Sequence, residues 1–62
     1  MRDKETAAVF TRLTETTDAT LAARLLDLAE RHPQRAAWAC LNVNEALPAA
    51  VRDRAAKVAA KG

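Results

Sequence analysis

The sequence contains no serine, no tyrosine and no isoleucine, and its single glycine is the last residue, Gly62. The lack of serine excludes a serine nucleophile. The lack of an internal glycine excludes both a phosphate-binding P-loop and a dinucleotide-binding fingerprint. A sheet protein also needs glycine and other turn residues to connect its strands. These absences argue against the common enzyme classes and against a β fold.

Cysteine and histidine occur once each, as Cys40 and His32. One cysteine excludes an internal disulfide, and this pair cannot complete a four-ligand zinc site by itself. A nucleophile and its base must also meet in hydrogen-bond reach. Helical projection instead places Cys40 on an apolar face, where cysteine acts as a small hydrophobe, and His32 at a helix end. We predict a packed thiol, a helix-capping histidine, and no catalytic residue, metal or cofactor.

Long apolar runs are absent as well. No stretch approaches the ~18 apolar residues that span a bilayer, and the start, Met1-Arg2-Asp3-Lys4-Glu5, lacks the apolar core of a signal peptide. A lone cysteine without an export signal is typical of a reducing compartment. We therefore expect a cytoplasmic protein with no membrane contact. The abundance of alanine and arginine indicates a high-GC bacterial coding sequence, and so a small bacterial protein.

Alanine is the abundant residue, with 16 copies, and only 15 larger apolar side chains accompany it. Because alanine is the best helix former, we predict an all-α fold: a compact bundle of three to four short helices in a single domain, residues 1–62. A core this small rarely supplies more than ~3–5 kcal/mol. We therefore expect support from a second copy of the chain, as a homo-oligomer, or from a larger protein partner.

The apolar periodicity predicts helices over about 3–14, 18–31, 34–42 and 48–61. Thr17 or Asp18 is expected to cap the second helix, and Pro33 suits the first position of the third. The third helix is predicted to end near Asn42, in a left-handed C-cap, because a longer helix would bury the amide of Asn44 on its apolar face. The inward residues of this segment are predicted to be Ala36, Ala37, Cys40 and Leu41, followed by Val43 and Leu47 if the helix continues past Asn42.

Trp38 projects off the main apolar arc of the third helix, near Gln34, Asn42 and Glu45. Tryptophan is enriched among interface hot spots, so Trp38, together with Gln34 and Arg35, is a candidate partner-binding residue. The alternative is that Trp38 folds over the helix edge and covers a small alanine-lined core. Both interpretations remain open at this point.

The charge is unevenly distributed. The net charge of +2 results from −1 over residues 1–32 and +3 over residues 33–62. On the predicted last helix, Arg54, Lys57 and Lys61 recur at spacings of three and four, with Arg52 nearby. These four residues are candidates for contacting nucleic-acid phosphates. A solvated helix face is the favoured alternative, since the helix dipole stabilises cations near a C-terminus.

A family resemblance bears on that choice. The helix order after residue 20, with Leu41-Asn42-Val43-Asn44 and Arg52-Asp53-Arg54-Ala55, resembles the end of the recognition helix and the third helix of lac-repressor-type headpieces. The similarity covers about a third of the chain and implies helix-turn-helix DNA binding. The turn Glu30-Arg31-His32-Pro33 lacks the small turn residues of that family, and a further helix precedes the unit.

Together these patterns favour a small, non-enzymatic protein–protein interaction or regulatory module. The alternative function is a helix-turn-helix-like transcriptional regulator that binds DNA.

Overall fold

Residues 3–62 of the computed structural model are described here, apart from the side chain of Asp3, and they form four α-helices. These are α1 (Asp3–Glu15), α2 (Ala19–Arg31), α3 (Pro33–Leu41) and α4 (Ala49–Lys61). The predicted all-α bundle is confirmed, and each observed helix end lies within one residue of its predicted position.

The helix boundaries of α2 follow from its flanking residues. Asp18 caps its N-terminus, since Oδ1 accepts hydrogen bonds from the backbone N–H groups of Thr20 at 2.9 Å and Leu21 at 3.4 Å. At the other end His32 alone separates α2 from α3, because Pro33 begins the next helix. The backbone N–H of His32 donates to the carbonyl of Ala29 at 3.0 Å, and its side chain makes no capping hydrogen bond to α3.

The end of α3 corrects one prediction. Asn42 has φ −118° and ψ 24°, so the predicted left-handed C-cap is wrong. The side chain of Asn42 instead donates from Nδ2 to the carbonyl of Trp38 at 2.6 Å. This bond satisfies a free carbonyl of the last turn, and a left-handed residue is therefore unnecessary.

Asn44 lies in the connection between α3 and α4 and joins it to the end of α1. Its backbone N–H donates to the carbonyl of Leu13 at 3.3 Å, and its Nδ2 donates to the carbonyl of Glu15 at 3.4 Å. Its Oδ1 accepts from the N–H of Ala46 at 2.9 Å, and its carbonyl accepts from Leu47 at 3.1 Å. The residue predicted to be costly inside α3 thus caps α1 from outside the helix.

The core combines a few large side chains with many alanines. Phe10, Leu13, Leu26, Leu47 and Val58 are the largest fully buried side chains. Five alanines are also fully buried: Ala22, Ala29, Ala36, Ala39 and Ala55. The prediction that Leu41 belongs to the core is wrong, because this residue is 74% exposed. The buried alanines on α3 and α4 allow these two helices to pack closely.

Gly62 continues this close packing beyond α4. A Cβ atom at this position would lie 2.6 Å from both the Ala37 Cβ and the Pro33 carbonyl oxygen. The end of α4 therefore approaches the start of α3 more closely than a larger residue permits.

The helices pack as compactly as expected for a chain of this length. Its radius of gyration, 10.2 Å, agrees with the roughly 10.6 Å expected of a compact chain of this length. The thin core therefore does not leave the helices splayed apart.

Candidate functional site

The outer side of α3 carries an exposed apolar surface. Among the described residues, Trp38 and Leu41 are the large apolar side chains that remain exposed, by 43% and 74%. They are separated by three positions on one helix, so their side chains are neighbours. Gln34 precedes Trp38 by four positions and is also exposed. We call Gln34, Trp38 and Leu41 the α3 surface.

The inner side of the same helix explains this arrangement. Ala36, Ala39 and Cys40 are buried against the core, and their small side chains fix α3 close to its neighbours. The helical period then turns Trp38 and Leu41 away from that contact. Local sequence therefore positions the two largest apolar side chains of α3 toward solvent.

Trp38 occupies an intermediate position between the two predicted roles. At 43% exposure more than half of the residue is covered by its own chain, while the remainder faces solvent. A single exposed leucine is ordinary on a protein surface. A tryptophan edge beside an exposed leucine makes a continuous apolar patch, and such patches are typical of interaction sites.

Arg35, another residue of the candidate partner-binding set, lies next to this patch and is exposed. The structure therefore brings Gln34, Arg35 and Trp38 together on or beside one helix face. It adds Leu41, which the sequence analysis had assigned to the core.

An open pocket lies on another part of the molecule, where α1 passes the end of α2. Its volume is about 230 Å³. Val9, Phe10 and Leu28 form its apolar lining, and Glu5, Thr6 and His32 supply polar groups. Phe10 is fully buried, whereas Glu5 and His32 are exposed. The pocket therefore combines an apolar base with a polar rim.

Arg54, one of the candidate phosphate-binding residues, is engaged within the chain. Its Nε donates to Glu30 Oε1 at 2.6 Å, its Nη2 donates to Asp27 Oδ1, and its Nη1 donates to the carbonyl of Ala23 at 3.3 Å. The hydrogen bond to Glu30 makes the largest contribution to raising the pKa of the guanidinium, and the hydrogen bond to Asp27 raises this pKa further. Arg54 therefore joins α4 to α2 as a charged clamp.

The other predicted phosphate-binding residues, Arg52, Lys57 and Lys61, are exposed on α4. Asp53 is exposed as well, one helical turn before Lys57, where an acid preceding a base forms a favourable pair. With Arg54 directed toward α2, the predicted stripe of three cations is reduced to Lys57 and Lys61.

Cys40 and His32 occupy different environments. Cys40 is buried at 3% exposure, and burial raises the pKa of its thiol, so the unreactive protonated form is favoured. His32 is exposed at the junction of α2 and α3 and lines the pocket. Among the side chains of residues 4–62, no three from histidine, cysteine, aspartate and glutamate are grouped as metal ligands.

Sequence reasoning missed the clamp and the pocket. Helical projection places Asp27 and Glu30 on the surface of α2 beside Arg24 and Arg31, so it indicates no partner on another helix. A signal for the clamp was present, since Arg54 directly precedes Ala55 on the apolar stripe of α4. The pocket depends on how α1 crosses α2, which periodicity does not determine.

The helices of the described part fall short of the length and apolar character that crossing a membrane requires. Comparison of the chain with protein-family models, with curated proteins and with solved structures gave no match.

Proposed function

We propose that the protein is a small self-associating interaction module that binds through the α3 surface. The observation that carries this proposal is the pair of exposed apolar side chains, Trp38 and Leu41, on a helix whose opposite side is closely packed. Tryptophan at the centre of such a patch is a typical hot-spot anchor.

Self-association also agrees with the small core. Of the fully buried residues, five are alanines, which contribute little apolar area each. A core of this size supplies roughly 3–5 kcal/mol at most, and burying the α3 surface against a second copy adds apolar contact that the monomer lacks. Association stabilises the folded state by mass action, so stability should rise with protein concentration.

Two features give the DNA-binding alternative less support. The connection between α2 and α3 is His32 alone, while helix-turn-helix units use turns of about three to four residues. The guanidinium of Arg54 is also held by Glu30 and Asp27, which removes one cation from the predicted phosphate-binding set.

Sedimentation over a concentration series tests the proposal. The unmodified chain should form an oligomer whose population grows with concentration, and Leu41→Glu should shift it to the monomer. Because Leu41 is 74% exposed, the substitution places a charge on the surface without disturbing the core. The far-UV circular dichroism should therefore be unchanged.

Ala56→Glu is the matched control, since Ala56 is exposed and belongs to a different helix, α4. It should leave the oligomer intact. A chain that remains monomeric at all concentrations would overturn the proposal. If that monomer bound duplex DNA with a steep salt dependence, which Lys57→Ala and Lys61→Ala weakened, the DNA-binding alternative would replace it.

A further inference from the structure

We draw no further inference here: the strongest candidate, the open pocket between α1 and the end of α2 with its apolar base of Val9, Phe10 and Leu28, carries none because nothing in the structure shows what occupies it.

Discussion

The two sides of α3 differ in the size of their side chains, in the opposite sense from a typical helix. The inner side carries alanines and Cys40, all buried, whereas the outer side carries Trp38 and Leu41, both exposed. A helix that served only the core would direct its largest apolar residues inward. The inner side is therefore suited to close helix packing, and the outer side is the surface that we propose contacts another molecule.

The inner side of α3 should not tolerate larger side chains, and Ala39→Leu is the most severe test of this expectation. Ala39 is fully buried, so three added carbon atoms must displace α3 or a neighbour. Overpacking costs about 1–3 kcal/mol, a large part of the stability of a core this small. We expect a strongly lowered urea midpoint. Ala56→Leu, at an exposed site on α4, should change it little, and equal midpoints for both variants would contradict close packing.

The turn that follows α3 should be next in importance. Asn44→Ala removes the side-chain bonds to the Glu15 carbonyl and the Ala46 N–H, and we expect a loss of about 1–2 kcal/mol for the two together. Asn44→Asp keeps the acceptor but loses the donor. Its urea midpoint should therefore fall between those of the unmodified chain and Asn44→Ala. A midpoint for Asn44→Asp equal to that of Asn44→Ala would show that the bond to Ala46 contributes nothing.

The clamp between α2 and α4 should have a smaller effect, because its partners are partly exposed. The side chain of Arg54 is 35% exposed, and those of Asp27 and Glu30 are 68% and 44% exposed. We expect Arg54→Ala to cost about 0.5–1 kcal/mol at low salt, less at high salt. Arg54→Lys should recover only part of this, since an ammonium lacks the planar fork. A loss independent of salt would argue against an electrostatic clamp.

The outer side should be the most tolerant for folding. Leu41→Glu is expected to change the free energy of unfolding of the monomer by less than about 0.5 kcal/mol, measured by urea denaturation at a concentration where the chain is monomeric. The same variant should abolish self-association. A large loss of monomer stability would place Leu41 in the core after all and remove the contrast between the two sides.

The positions of the helices could be predicted, because local signals mark them. Alanine content, the capping Asp18 and the helix-starting Pro33 indicate where helices lie and begin, while packing supplies most of the stability of helices this short. Leu41 shows where this reasoning ends. One apolar residue beyond a buried Cys40 looked like core, but α3 ends at Leu41 and leaves it without a neighbour that covers it.

The candidate site was only partly predictable for a similar reason. Trp38 was identified from its helical projection alone. It is partly exposed, which its interpretation as a partner-binding residue requires. The partners of Arg54 lie 24 and 27 residues away along the chain, and the pocket is lined by residues of both α1 and α2 together with His32. Such features depend on helix crossing, which a single sequence read by periodicity does not specify.

The fluorescence of Trp38 as a function of protein concentration tests the central claim most directly. Since the chain has one tryptophan and no tyrosine, its emission reports the α3 surface alone. We predict that the emission of the unmodified chain moves to shorter wavelength as concentration rises, in parallel with the sedimenting mass, and that Leu41→Glu shows neither change. Emission typical of a half-exposed indole at every concentration, from a chain that always sediments as a monomer, would contradict the account.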